Sequence, residues 1–282
     1  LRLARQMGDL ALSNLNGAGA LPGLNLQFLI ELLAGLFLAS LRIGAFLIAS
    51  PFFGGSSTPL QVRIIMAVLL GVAVMNNVTV PDWQSFDALI GIQVIMTELA
   101  IGIGAGLVLT IWFSAVLLAG EKIAASAGLG FAAQIDPDSG GQTPVISKTF
   151  SLFLTVIFLS SNGHLLVLRA VADSYVYLPV GAMPAFPVLI QSGIAAAGSM
   201  FFAASIIMLP LTAFLVAINL AIGVITRSAP QLNLFSFGFP ISMLAIFLLL
   251  YLWVDVLGGA MDDLAHAAVD NIQQLLGLIS NG

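Results

Sequence analysis

The chain alternates long apolar stretches with short breaks that are polar or rich in Gly and Pro. A helix needs roughly 20 mostly apolar residues to cross the hydrocarbon core of a bilayer. The pattern predicts apolar helical segments over 24–53, 64–80, 86–119, 150–168, 188–226 and 234–254. The third segment is too long for a simple perpendicular span. In the fifth, Pro210 indicates either two short segments or one kinked helix, because proline removes a helical hydrogen bond.

The last segment, 256–282, has a different pattern. Its apolar residues recur at steps of three and four, which is typical of an amphipathic helix. They are Leu257, Met261, Leu264, Ala268, Ile272, Leu275 and Ile279. The polar positions are mainly acidic, whereas helices that lie on a membrane surface favour Lys and Arg. We therefore expect the apolar face to pack against a partner protein.

The composition strengthens the membrane interpretation. Of the 282 residues, 60% are apolar and 7% are charged, against about 25% charged in ordinary globular proteins. The mean hydropathy is +1.10. So few polar side chains cannot cover the outside of a soluble protein, so we predict an all-α integral membrane protein surrounded by lipid and other protein. The net charge of −5 argues against a nucleic-acid partner.

Three charged residues interrupt the apolar segments: Glu31, Arg42 and Glu98. A charge at the bilayer centre costs about 2.5 to 3.5 kcal/mol on insertion scales, so each needs a partner or a wet cavity. A proton or ion relay is one interpretation, and pairing between helices or subunits is the other. We favour pairing because the charges are scattered. Nearby, Gly102 and Gly106 predict a helix face that another helix approaches closely, rather than a dinucleotide-binding loop.

Enzymatic and metal-binding signatures are missing from the sequence. It has no His-Glu-x-x-His, no Gly-x-Ser-x-Gly and no phosphate-binding Gly-Lys-Ser/Thr loop. Its cysteine count is zero, which excludes disulfides and thiolate ligands. His164 has no second histidine nearby, so a turn or capping role is expected there. We predict a protein that is not an enzyme and holds no metal or cofactor.

The region 120–144 carries the most information. Glu121 and Lys122 end an apolar run, an Ala/Ser/Gly-rich stretch follows, and a polar turn comes after it. Irregular backbone of this kind cannot face lipid, because its amide groups would lack hydrogen-bond partners. It is either a plug or re-entrant loop that lines a cavity, or an ordinary loop with a short surface helix. The residues alone leave both open.

An ordered set of short motifs resembles the FliR family of flagellar biosynthetic proteins and its injectisome counterparts in type III secretion. The resemblance covers roughly 26–254. The motifs are Gly120-Glu121, Gly128-Leu129, Phe131-Ala132, Asp136-Pro137, Asn162-Gly163-His164-Leu165, Leu178-Pro179 with Gly181, Leu209-Pro210-Leu211, Asn219-Leu220 with Gly223, 227–233, Phe235 and Gly238-Phe239-Pro240.

Three parts depart from the family pattern. Residues 1–23 form an N-terminal extension, and no signal peptide is expected in them because Arg2 and Arg5 precede a polar stretch. Lys122 stands where relatives tend to carry an apolar residue. The helix after Gly258 matches only in character.

The resemblance implies a fold of long, inclined and broken helices. A FliP-like part covers 24–187 and includes a plug loop at about 120–144. A FliQ-like helical hairpin covers 188–257, and an amphipathic C-terminal helix covers 258–282.

The resemblance also implies a function. The chain would be one subunit of an export gate in the bacterial inner membrane, at the flagellar basal body. Its partners would be about five copies of FliP, about four of FliQ, and FlhB and FlhA, with unfolded flagellar proteins as the exported substrate. An injectisome gate subunit is the alternative, and a stand-alone secondary transporter is a weaker one.

The candidate site residues fall into two groups. The resemblance assigns the gate plug to Gly128, Leu129, Gly130, Phe131, Asp136 and Pro137. Polar residues expected within the membrane or between subunits are Glu31, Arg42, Glu98, Glu121, Asn219 and Arg227.

Overall fold

The computed structural model describes residues 26–55, 58–75, 88–129, 145–229 and 237–279. Within these ranges the chain forms eight α-helices and no strands. They are α1 (Leu26–Ala49), α2 (Leu60–Met75), α3 (Ala88–Ser126), α4 (Val145–Ser160), α5 (Gly163–Tyr177), α6 (Phe186–Ser228), α7 (Phe239–Leu252) and α8 (Val254–Leu278). The predicted all-α class is confirmed.

The long helix α3 lies at the centre of the molecule. It packs against α1, α4, α6 and α8, and α2 packs against α1. Buried apolar side chains follow α3 over most of its length, so the core is a column around this helix. These side chains include Val94, Ile101, Val108, Leu109, Phe113, Val116 and Ile123.

Two glycines set the close approach of α1 and α3. A Cβ atom at Gly102 would collide with the carbonyl oxygen of Arg42, and one at Gly106 would lie 2.6 Å from the Cβ of Ala49. The two backbones therefore touch where neither glycine has a side chain. The predicted close-packed face of α3 is confirmed, and the helix that meets it is α1 of the same chain.

The predicted segment 150–168 is wrong as a single helix. The structure has two helices, α4 and α5, whose axes differ by 66°. Asn162 between them adopts a left-handed conformation with φ of 57°, which asparagine tolerates better than most residues. A Cβ at the following residue, Gly163, would lie 2.6 Å from the ring of Phe158. Local backbone chemistry, which hydropathy does not report, makes this break.

Of the two alternatives for 188–226, the structure has one continuous helix. α6 runs for 43 residues with Pro210 inside it. Proline lacks the N–H that would complete the helical ladder at that point, yet the helix continues on both sides. One side of α6 packs against neighbouring helices, mainly α3, and buried residues lie both before Pro210, such as Ala204, and after it, such as Leu215.

The amphipathic helix at the C-terminus is confirmed as α8. All seven apolar residues of the predicted face are buried, including Leu257, Met261 and Ile279. They pack against other helices of this chain, mainly α3, α4, α5 and α6. The expectation that a partner protein covers this face is therefore wrong, because the chain itself buries it.

In the ranges that the structure describes, three helices are long and apolar enough to cross a membrane: Leu29–Ala49, Leu89–Ser126 and Phe186–Ser228. In the described part of the chain the number rises to five if each bent pair, α4–α5 and α7–α8, makes one span. With 39 residues, α3 is about 58 Å long, nearly twice the roughly 30 Å of a hydrocarbon core. Such a helix is steeply inclined or extends beyond the lipid.

The tight contact at Gly102 makes a testable prediction. Gly102→Ala places a methyl group against the backbone of α1, so α1 and α3 must separate. We expect a loss of about 1–3 kcal/mol of stability, the usual cost of overpacking. Thermal denaturation of the protein purified from membranes measures this. Gly198→Ala on α6 is the control, because its added Cβ meets no atom within 4 Å. Equal melting temperatures for the two variants would contradict the prediction.

Candidate functional site: a buried ion pair and the end of α3

Arg42 of α1 and Glu98 of α3 form a two-pronged ion pair. Nε of Arg42 donates to Oε2 of Glu98 at 2.8 Å, and Nη2 donates to Oε1 at 3.0 Å. Both side chains are fully buried. The parallel geometry is the strong form of an arginine–carboxylate contact. The structure therefore brings together two of the predicted polar residues.

The end of α5 completes the surroundings of Arg42. Its Nη1 donates to Oγ of Ser174 at 2.9 Å, and its Nη2 donates to the carbonyl of Leu178 at 3.0 Å. The ring of Tyr175 lies 4.1 Å from Cζ of Arg42, a cation–π distance. The Tyr175 hydroxyl donates to the carbonyl of Ala39, at 2.6 Å. One guanidinium group thus joins α1, α3 and the C-terminal end of α5.

This arrangement suits a clamp better than a relay. Both carboxylate oxygens of Glu98 accept from Arg42, so the charges neutralise each other. A guanidinium group keeps its proton at any physiological pH. It also lies at the carbonyl end of α5, where a cation is favourable. Of the two interpretations of these intramembrane charges, the geometry favours pairing for Arg42 and Glu98.

The other predicted polar residues lie elsewhere. Glu31 is exposed on α1, three turns before Arg42, or about 16 Å along the helix. Glu121 is exposed near the end of α3. Arg227 is exposed in the last turn of α6, where a cation offsets the partial negative charge of the helix end. Their assignment to subunit contacts stays a prediction.

The end of α3 shows why Gly128 is a glycine. The N–H of Leu129 donates to the carbonyl of Ala124 at 3.0 Å, and that of Gly128 donates to Ala125 at 3.1 Å. This pair of bonds is the Schellman motif, which requires a left-handed residue after the helix. Gly128 has a φ of 80°. The helix therefore stops inside the predicted plug loop, about 120–144, just before the first residue assigned to the plug, Gly128.

Two neighbours from other helices meet this helix end. Asn219 of α6 donates through Nδ2 to the carbonyl of Ser126 at 2.9 Å. A Cβ at Gly128 would lie 2.7 Å from the ring of Phe239 on α7. Two residues predicted for separate roles, Gly128 and Asn219, thus lie at one place. Among the plug residues, Leu129 is half-buried, whereas Gly130, Phe131, Asp136 and Pro137 lie outside the described residues.

Several partners could not be found from the sequence. Ser174 and Tyr175 stand next to each other at the end of an apolar stretch, and nothing local links them to Arg42, more than 130 positions earlier. Ser126 is recognised through its backbone carbonyl, which leaves no trace in the residue type. His164 lies in the first turn of α5, after the Asn162 turn. In the described part of the chain no group of His, Asp and Glu residues could hold a metal ion.

The chain is similar in sequence to known bacterial export proteins. The profile of the bacterial export proteins, family 1, matches residues 33–268. The chain belongs to this family. Its curated relatives include the flagellar biosynthetic protein FliR of Escherichia coli K12, with 32% identity over 72% of this chain and 77% of the relative. FliR of Aquifex aeolicus is 33% identical over 77% and 82%. FliR of Bacillus subtilis is 28% identical over 89% and 98%. The predicted resemblance to the FliR family is confirmed.

The buried pair makes the second prediction. Glu98→Ala leaves the charge of Arg42 buried without its partner, which typically costs about 3–5 kcal/mol. We expect a sharp fall in the melting temperature and in the amount of protein that resists protease in membranes. The double variant Arg42→Met/Glu98→Met should recover part of the loss, because apolar side chains can replace a buried pair.

Asp173→Ala supplies the control for that experiment. Asp173 pairs with Arg169 at 3.5 Å, but both side chains are exposed. Surface pairs contribute roughly 0–1 kcal/mol, so this variant should melt near the wild-type temperature. A Glu98→Ala protein as stable as Asp173→Ala would show that the buried pair does not hold the helices.

Proposed function

We propose that this chain, a subunit of the flagellar type III export apparatus, helps to form and plug the channel that carries unfolded flagellar proteins across the bacterial inner membrane. The family match over 33–268 carries the proposal. The curated relatives named above are flagellar biosynthetic proteins, which favours the flagellar system over an injectisome.

The proposed partners are FliP, in about five copies, FliQ, in about four, and FlhB and FlhA. The exposed surface of α6 supports an assembly of this kind. Large apolar side chains are exposed from Ile190 to Val224, a distance of about 51 Å along the helix. Lipid covers only about 30 Å of a perpendicular helix, and helices tilt by up to about 40°. Part of this surface therefore needs a protein neighbour.

We also propose that the two parts of the chain have different roles. The FliP-like part, 24–187, contributes the plug segment, and the FliQ-like hairpin, 188–257, packs beside it. The helical stop at Gly128, with its φ of 80°, supports a change from helix to loop at this point. Glu121 and Arg227 would be polar contacts to other subunits, whereas Asn219 makes its polar contacts within the chain, to Ser126 and Ser242.

The closed channel would be sealed by the segment 127–143. Phe131 is the proposed constriction, Gly128 and Gly130 give the backbone its freedom, and Asp136-Pro137 forms the turn. A narrow ring of apolar side chains excludes water and ions by dewetting. It can still part around an extended polypeptide. The seal is thus a barrier against leakage while no substrate is present.

A conductance measurement tests the seal. Phe131→Ala, or deletion of residues 128–131, should raise ion leakage through the assembled complex reconstituted in a planar bilayer. Phe153→Ala on α4 is the matched aromatic truncation outside the segment and should leave leakage unchanged. If both changes in the segment leave the conductance at the wild-type level, the plug assignment is defeated.

The flagellar assignment has its own test in cells. Deleting the gene should abolish swimming and the secretion of flagellin, and expression of this chain should restore both. The protein should also co-purify with FliP and FliQ in detergent. A deletion strain that still swims, or a protein that transports a solute by itself in vesicles, would contradict the proposal.

A further inference from the structure

The polar contact at the end of α3 goes beyond a helix cap. From the contacts around Asn219 we infer that this residue is a positioning residue, whose amide fixes the end of α3, and with it the base of the plug segment, to the α6–α7 hairpin. The inference rests on the proposed plug function of the segment that begins there.

The carbonyl groups at the end of α3 all need hydrogen-bond donors. The last four carbonyls of a helix lack partners within the helix. The Schellman bonds satisfy those of Ala124 and Ala125. The carbonyl of Ser126 receives its hydrogen bond from Asn219, across 93 positions of sequence. A side chain of α6 thus completes the end of α3.

A second hydrogen bond, from Ser242, fixes the orientation of the Asn219 amide. Oγ of Ser242 on α7 donates to Oδ1 of Asn219 at 2.9 Å, and the Ser242 side chain is buried. Since Oδ1 accepts from Ser242, Nδ2 is directed to Ser126. A carboxamide has a donor and an acceptor on one planar group, so it can link α7, α6 and α3 in a single chain of bonds. Neither leucine nor a carboxylate can do so.

The Asn219 contact lies beside open space. A cavity of about 350 Å³ lies between α3, α6 and α7, with Ser126, Gly128, Asn219, Gly223, Phe239 and Ser242 among its lining residues. Gly223, one turn after Asn219, presents no side chain there, and a Cβ added to it would meet nothing within 4 Å. The helices are separated by open space at this contact, and the two hydrogen bonds of the Asn219 amide bridge it.

The hydrogen bonds of Asn219 couple the position of the α6–α7 hairpin to the end of α3. A displacement of the α6–α7 hairpin relative to α3 either moves the end of α3 or breaks the bond to Ser126. The base of the plug segment therefore follows the hairpin as long as Asn219 keeps both bonds. A hydrophobic residue at 219 should leave the helices in place but free the C-terminal end of α3 from α6 and α7.

Leakage through the reconstituted complex tests the inference. Asn219→Leu keeps the side-chain size and removes both bonds, so we expect a several-fold rise in closed-state conductance at an unchanged amount of assembled complex. Hydrogen exchange at the amides of residues 127–129 should become faster. Thr226→Val on the same helix is the control, because that hydroxyl bonds within α6, to the carbonyl of Gly223 at 3.1 Å. Its leakage should match the wild type.

A double-mutant cycle separates positioning from general stability. Ser242→Ala should raise leakage less than Asn219→Leu. Adding Ser242→Ala to Asn219→Leu should have no further effect, because Ser242 acts only through the amide. Additive effects would mean that the two residues act independently, and would overturn the inference.

The outcomes also separate this inference from the plug itself. If Asn219→Leu leaks like the wild type while deletion of 128–131 raises leakage, the inference fails and the plug assignment stands. If neither change raises leakage, the plug assignment fails. Should Asn219→Leu not assemble, Ser242→Ala decides: raised leakage with faster exchange at 127–129 supports the inference, and wild-type behaviour overturns it.

Discussion

The fully buried pair of Arg42 and Glu98 constrains everything around it. Burying two charges is costly unless each finds its partner and its remaining hydrogen bonds. Arg42 satisfies this condition only where α1, α3 and the end of α5 meet. Gly102 allows the two long helices to come close enough, because any side chain there would strike the Arg42 carbonyl. The pair therefore favours one arrangement of these helices, because a shifted helix would leave a charge without its partner in an apolar interior.

The helices themselves were largely predictable because hydropathy and helical period are local properties. The face of α8 follows from steps of three and four, and the structure buries every residue of it. The same reasoning missed what covers this face, since a pattern reports that a surface is apolar and not which surface meets it. It also missed the break at Asn162, where one left-handed residue decides the chain path.

At the candidate site too, the sequence identified individual residues but not their partners. Arg42 and Glu98 were visible as charges in apolar stretches, and their 56-residue separation hid the fact that they pair. Gly128 was assigned to the plug through the family resemblance, and the structure shows why this position is a glycine in the two bonds that end α3. Asn219 drew attention through the family motif. Its partner, a backbone carbonyl, has no signature in the amino-acid type. Gly130, Phe131, Asp136 and Pro137 stay predictions because they lie outside the described residues.

The outer side of α8 has a consequence for how the molecule is oriented. Asp262, Asp263 and Asp270 are exposed on this side, while the opposite face is buried in the chain's own core. Anionic lipid head groups give a membrane surface a negative potential, and a row of carboxylates is repelled by such a surface. The exposed side of α8 is therefore better suited to contact with water or a basic neighbour than with anionic lipid. Large apolar side chains are instead exposed along α2, α6 and α7, for example Leu69, Phe202 and Phe247, so these helices suit lipid or apolar protein contact better than the acidic side of α8 does.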